Sequence, residues 1–340
     1  GPSNLRYGHD NRIWGAVGYS GGRSETQGEF QNMLYRMDVD GRNIEPIAQL
    51  NNNTWGLGLS EDFEVFGSTA NNAPAWHVPL WRKYVYGQHE QLAPSMAAKI
   101  DNFPQVFPLT HNFLQVDSHG RYTAGSGFNL YTARAFPERF WNRSAFIGEP
   151  TAHLLGQFFL EEKGSSYSAN NRGSLLASTD EWLSPVYSDV GPDGQLWVAD
   201  WYNFIIQHNP IPTKESAGFD AVGGEGNAHE NPLRDGKHGR IYRLVAKGAP
   251  AYKSLDLSKA DTAGLITTLS NDNLFWRMTA QRKLVQEKRF DSVPALRKIL
   301  LAEPKIDAVG LDVQSIHAIW TLQGLGQFTM ADKTNVAAIK

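Results

Sequence analysis

A turn built on aspartate and followed by a short alternating strand recurs along the chain, and it constrains the fold more than any other feature. The clearest copy is Gly191-Pro192-Asp193-Gly194-Gln195-Leu196-Trp197-Val198-Ala199-Asp200. Asp-Gly favours a tight reversal, and alternation places Leu196 and Val198 on one face of the strand that leaves it. Three weaker copies precede it: Gly8 to Gly15 around Asp10, Ser60 to Gly67 around Asp62, and Asp117 to Ala124. The marking aspartates are 52, 55 and 76 residues apart, near the period of about 40 to 50 residues of a four-stranded propeller blade with insertions.

Strand partners fall between the copies, among them Met33 to Asp38, Ser144 to Gly148 and Leu154 to Leu160. A last alternating run, Gly239 to Val245, ends at Lys247-Gly248-Ala249-Pro250, where glycine and proline break the pattern. The expectation is a mainly β chain: a β-propeller over residues 1–248, then an α-helical region over 249–340. About 245 residues supply four marked copies and material for five blades, so a six-bladed ring in the full protein implies missing N-terminal sequence.

Beyond residue 249 the apolar period becomes helical, through Leu265, Ile266, Leu269, Leu274, Trp276, Ala280, Leu284 and Val285. Ser270-Asn271-Asp272-Asn273 breaks it, with Asp272 or Asn273 as the cap of the following helix. Val293 to Leu301, with Pro294 near its start, and Val313 to Leu325 continue the series, as stacked HEAT-like pairs would.

Composition narrows the function classes. The 10 Trp, 12 Tyr, 17 Phe and 32 Gly suit aromatic strands and tight turns. The net charge of −3 comes from 32 basic and 35 acidic residues spread evenly, which argues against nucleic acid as a partner. With no cysteine there is no disulfide, no thiolate metal site and no CxxCH haem attachment in this chain. No run reaches the apolar length of a transmembrane segment, and Gly1-Pro2-Ser3 reads as a cloning remnant rather than a signal region. GxGxxG in a βαβ setting, Walker, HExxH and GxSxG motifs are all missing, which argues against nicotinamide, nucleotide, zinc-protease and α/β-hydrolase chemistry.

The densest polar group follows the best strand: Asp200, Tyr202, Asn203, Gln207 and His208, where a strand opens into a loop. Here His208 is a candidate general base, with Asp200 orienting it or holding a cation. Glu149 and His153, four apart, and Asp180-Glu181-Trp182 offer carboxylates and an indole to Ca²⁺ or a sugar. In a strand Asp180 and Glu181 would point to opposite faces. Arg234, Asp235, His238 and Arg240 precede the last strand, and an arginine there can clamp a carboxylate bidentately. Each group reads equally as a structural network of hydrogen bonds and ion pairs. Asn51, Asn52, Asn53, Asn71 and Asn72 suit Asx-turns before ligands, and Trp55, Trp76, Trp81, Trp182 and Trp201 suit packing before sugar stacking.

Several stretches resemble a family of large secreted proteins of planctomycetes and verrucomicrobia, described as PVC-type membrane-bound dehydrogenases or haem-binding proteins. They include Asn4-Leu5-Arg6-Tyr7-Gly8-His9-Asp10-Asn11-Arg12-Ile13-Trp14-Gly15, Asn51-Asn52-Asn53-Thr54-Trp55-Gly56-Leu57-Gly58, Tyr131-Thr132-Ala133-Arg134 and Trp141-Asn142-Arg143. Others are Glu149-Pro150-Thr151-Ala152-His153, Asp200-Trp201-Tyr202-Asn203 and His238-Gly239-Arg240-Ile241-Tyr242-Arg243. The resemblance implies a propeller similar to soluble sugar dehydrogenases, HEAT-like repeats, and a periplasmic or secreted location. It also implies quinone-dependent oxidation of a sugar or alcohol, with a pyrroloquinoline-type quinone, Ca²⁺ and a c-type cytochrome as electron acceptor. In that reading His208 and Asp200 are catalytic, and Arg234, Arg240 and His238 bind the cofactor. Glu149, His153, Asp180, Glu181, Trp182 and Asn203 face the substrate. The rival expectation is a scaffold that binds glycans or proteins without turnover.

Overall fold

The computed structural model describes residues 2–25, 28–85, 97–206 and 230–337. Strands β1 (Pro2–Tyr7) and β2 (Ile13–Val17), an inserted hairpin of β3 (Gly22–Ser24) and β4 (Gly28–Phe30), and then β5 (Met33–Met37) and β6 (Glu45–Gln49) form the first unit. Its main sheet runs β1-β2-β5-β6, each strand antiparallel to the next. The second unit comprises β7 (Thr54–Leu59), β8 (Val65–Thr69), β9 (Trp76–His77) and β10 (Ala98–Lys99). The third comprises β11 (Ser126–Leu130), β12 (Ser144–Glu149), β13 (Leu154–Lys163) and β14 (Ser166–Ala177). The fourth has three strands, β15 (Pro185–Val190), β16 (Leu196–Asp200) and β17 (Arg240–Leu244). Four consecutive up-and-down sheets make a propeller-like, mainly β arrangement.

Each strand forms for the reason its alternation suggests. In β16, Leu196 and Val198 are buried while Trp197 between them is exposed. The inner strands of neighbouring blades approach closely: a Cβ on Gly56 would lie 2.4 Å from the Gly127 carbonyl oxygen, so no larger residue fits that blade junction. Beside it Phe66 and Phe128 stack at 5.3 Å across the same junction. Blades one and four meet at the axis through Arg6 of β1, which pairs with Asp189 at 3.1 Å and donates to the Tyr187 hydroxyl at 2.8 Å, both on β15.

Two expectations change. The described residues form four blades, not five. The Asp117 turn does not join the first two strands of a blade, as the turns at Asp10, Asp62 and Asp193 do. It lies in the connection that leads into β11, and the corresponding turn of blade three is the longer stretch 131–143, which carries no aspartate. An aspartate-marked turn reports a chain reversal without saying which strands it joins.

Helices follow: α1 (Thr262–Thr268), α2 (Leu274–Gln286), α3 (Val293–Leu300), α4 (Val313–Gly324) and α5 (Met330–Ala337). Of the two cap candidates, Asn273 caps α2, accepting the Phe275 amide at 3.0 Å. Leu265, Leu269, Ala280, Leu284, Leu296 and Leu322 share one core. No helix among the described residues is long and apolar enough to cross a membrane.

One helix touches the first turn of every blade. The Asn273 amide and the Trp276 indole donate to the Gly191 and Pro192 carbonyls of blade four, both at 2.8 Å. The Leu274 amide donates to Thr132 of blade three at 3.0 Å. Arg277 pairs with Glu61 of blade two, and Gln281 donates to the His9 carbonyl of blade one at 2.7 Å. Glu61 is fully buried and also takes Arg134 in a bidentate pair at 2.7 and 3.0 Å, so two guanidiniums share its charge. A second cation is balanced by Asp307, 3.1 Å from Arg134.

Candidate functional site

The helices cover one end of the propeller axis. The other end opens into a well of about 840 Å³, within the range of small-molecule sites. Every blade builds it in the same way, from the beginning of its inner strand and from the loop between its second and third strands. Blade one supplies Asn4 and Tyr19, blade two Trp55 and Asn71, blade three Ser126 and Pro150, and blade four Val186 and Trp201.

The lining is amide and aromatic. Asn52 and Asn53 enter from the connection between blades one and two. The Asn53 side chain accepts the Tyr19 amide at 3.0 Å, and Tyr19 donates its hydroxyl to Asn52. Asn4 donates to the Trp55 carbonyl at 2.8 Å. Asn4 and Asn71 both take left-handed backbone conformations, φ 54° and 58°, which asparagine tolerates better than most residues. The side-chain oxygens of Asn4 and Asn71 find no hydrogen-bond partner among the described residues. Trp55 and Trp201 remain 43% and 44% exposed, whereas Trp76 is buried. Asp117 is the charged side chain of the described wall, which has no lysine, arginine or histidine.

Behind the wall stands Glu149, fully buried. It accepts the Thr123 and Ala124 amides at 2.8 and 2.9 Å and the Thr151 hydroxyl. Burial raises its pKa to about 7 against the pull of those hydrogen bonds. A carboxyl near neutrality suits acid–base work, but both oxygens of Glu149 are committed to backbone and Thr151, and neither reaches the well. Glu149 fixes the connection that carries Thr123 and Ala124 to the pocket.

The other sequence candidates are dispersed. Buried His153 bonds through Nδ1 to the Leu183 carbonyl at 2.7 Å, stacks on Phe204, and has its pKa pushed down by burial; Nε2 has no partner among the described residues. Asp200 ends β16, accepting the Ser184 and Tyr202 amides at 2.7 and 2.8 Å. Asn203 exchanges two hydrogen bonds with the Asp235 backbone. These contacts tie loops together and do not line the well. Asp180, Glu181 and Trp182 form a turn, not a strand, and the two carboxylates diverge: Asp180 takes Arg240 at 2.9 Å, and Glu181 takes Asn112 at 2.6 Å. Trp182 faces Tyr202 at 5.8 Å.

The expected cofactor clamp does not assemble. Arg240 lies 3.6 Å over the Tyr202 ring and is spent on Asp180, exposed His238 pairs with Asp235, and Arg234 belongs to the turn after Asn231. None of the three lines the well. Among the described residues no three histidine or acidic side chains gather as a metal site. His208 and Gln207 lie outside the described residues. Of the residues that do converge, the sequence singles out Asn52, Asn53 and Asn71 at turns and Trp55 and Trp201 as aromatics, and it marks neither Asn4 nor Tyr19. What they share is a place in or beside the start of an inner strand or in the loop after a blade's second strand.

Fold and well together define a propeller-like protein with an axial pocket. The chain belongs to the family of the domain of unknown function DUF7133, whose model matches residues 1–248. No curated protein matches it. Among solved structures it is similar to the PQQ-bound aldose sugar dehydrogenase of Streptomyces coelicolor, at 15% identity and TM-score 0.35, over 71% of this chain and 62% of that one. It is similar also to the apo-form soluble aldose sugar dehydrogenase of Escherichia coli, at 16% identity and TM-score 0.35, over 58% of this chain and 60% of that one. A third is virginiamycin B lyase from Staphylococcus aureus, at 13% identity and TM-score 0.34, over 63% of this chain and 56% of that one. The chain thus spans about 60% of the length of these structures.

Proposed function

We propose that the axial well binds a carbohydrate. The observation that carries this reading is the lining: four asparagines and two half-exposed indoles around one cavity. Sugar hydroxyls donate to and accept from amides, and the C–H faces of sugar rings stack on indoles. The helical region, which we read as HEAT-like pairs, holds the blades from the far side and leaves this mouth open.

Oxidation would ask for more than binding. A pyrroloquinoline-type quinone carries several carboxylates, whose burial requires cations, and oxidation of a sugar by it requires a base to take the hydroxyl proton. The described wall has no cationic side chain to offset those carboxylates, and its own carboxylate, Asp117, adds like charge, so the residues present do not fit the quinone with Ca²⁺. We therefore favour binding over electron transfer to a cytochrome. Calorimetry of the intact chain against a broad glycan panel, neutral and charged, tests the reading: at least one sugar is expected to bind, and Trp55→Ala to weaken it. Failure of every sugar to bind would overturn it, and turnover of a redox dye with quinone, Ca²⁺ and a sugar would establish the dehydrogenase instead.

A further inference from the structure

Resting on the carbohydrate reading, we infer that the ligand is an uncharged oligosaccharide of at least two rings, held between Trp55 and Trp201. The two indoles belong to blades two and four, which are separated around the axis by blades one and three. A single pyranose in contact with one indole leaves the other unused. A well of about 840 Å³ stands high in the range found for small-molecule sites, where one sugar ring would be loosely held.

The polar groups between the indoles set the charge. The asparagine amides of the wall offer both donors and acceptors, and Asp117 adds a carboxylate that only accepts. Hydroxyl groups supply donors. A carboxylate or sulfate supplies acceptors alone, and it would enter beside Asp117 with no lysine, arginine or histidine in the described wall to offset its desolvation. A uronate or sulfated glycan is thereby disfavoured, and a neutral one favoured.

The test is calorimetry of the intact chain with cellotriose, xylotriose and mannotriose, the matching monosaccharides, and trigalacturonate. At least one neutral trisaccharide is expected to bind at least about tenfold more tightly than its monosaccharide, a gap of about 1.4 kcal/mol. Trigalacturonate is expected to bind more weakly than the neutral trisaccharides. Trp55→Ala and Trp201→Ala should each bring the trisaccharide down to the monosaccharide level, while Trp55→Phe and Trp201→Phe, which keep a ring, retain most of the affinity. Circular dichroism checks that all four variants are folded. Equal affinity for monosaccharide and trisaccharide, insensitivity to either indole, or preference for trigalacturonate overturns the inference and leaves the carbohydrate reading standing. Absence of binding by any sugar, neutral or charged, brings down the carbohydrate reading itself.

Discussion

Blades one and four carry the same turn, Gly-x-Asp-x-x-x-Trp, in two different environments. In blade one the Asp10 carboxylate accepts the Trp14 indole at 2.8 Å and pairs with Arg36 at 2.6 Å. In blade four Asp193 accepts the Trp197 indole at 3.1 Å and pairs with Arg243 at 2.5 Å. Each arginine sits opposite its tryptophan on the third strand, and each glycine, Gly8 or Gly191, lies where a Cβ would strike the indole. Yet Trp14 is fully buried and Trp197 is 38% exposed. The difference comes from what covers the copy: Phe63 and Trp81 pack edge-on against Trp14, and Trp320 of α4 closes over Phe63 at 5.3 Å. One motif therefore serves as a core element in one blade and a surface clasp in another. Its energetic weight is set by neighbours distant in sequence.

The largest expected effect is on the buried copy. Asp10→Ala leaves the Trp14 indole N–H without its acceptor and takes one of two carboxylates from buried Arg36, which keeps Glu45, and should cost about 2 kcal/mol. Asp193→Ala, with its arginine partly exposed, should cost about 1 kcal/mol. Urea unfolding of both variants measures the gap; equal costs would show that burial does not separate the two copies.

A smaller effect tests the cover itself. Trp320→Ala should couple with Asp10→Ala by about 1 kcal/mol in a double-mutant cycle, and with Asp193→Ala by less than about 0.5 kcal/mol, since only the first copy lies beneath that helix. Coupling of the same size at both sites would break the comparison.

A pH-dependent effect lies in blade three, where Glu149 holds the Thr123–Ala124 connection. A carboxyl that titrates near pH 4.5 when unfolded and about 7 when folded binds its proton more tightly in the native state. Its contribution is complete below the unfolded value and is lost as pH rises toward the folded one. Glu149→Gln copies the neutral acid, so its stability should match the parent at pH 4 and exceed it at pH 8. Thermal melts at the two pH values check this, and a variant less stable at pH 8 would mean that the charged form is what the two amides hold.

Much of the architecture was legible in the sequence, because alternation and turn chemistry are local. Strands β5, β12, β13, β16 and β17 and helices α3 and α4 form where the patterns place them. The third blade was misread because Asp117 reverses the chain between blades, while the true turn at 131–143 uses a 3-10 segment at Glu138–Phe140 with no aspartate to mark it. The site was less legible for a different reason. Histidines, arginines and carboxylates attract notice, and here Arg240 pairs with Asp180 and His238 with Asp235, away from the well. Asparagines at turns read as local Asx chemistry, and that reading is correct as far as it goes; their meeting around one axis depends on four blades coming together. The Glu61–Arg134–Arg277 cluster escaped for the same cause, since its members are separated by up to 216 residues.

Contact of α2 with all four first turns gives the propeller a hub. Residues 273 to 281 meet blades four, three, two and one in turn, and a helix rises a fixed 1.5 Å per residue. The spacing of the blades at that end is therefore gauged by a rigid rod, not left to the sheets. The blades are thus registered from one end by a single helix, and the well lies at the end which that helix leaves open.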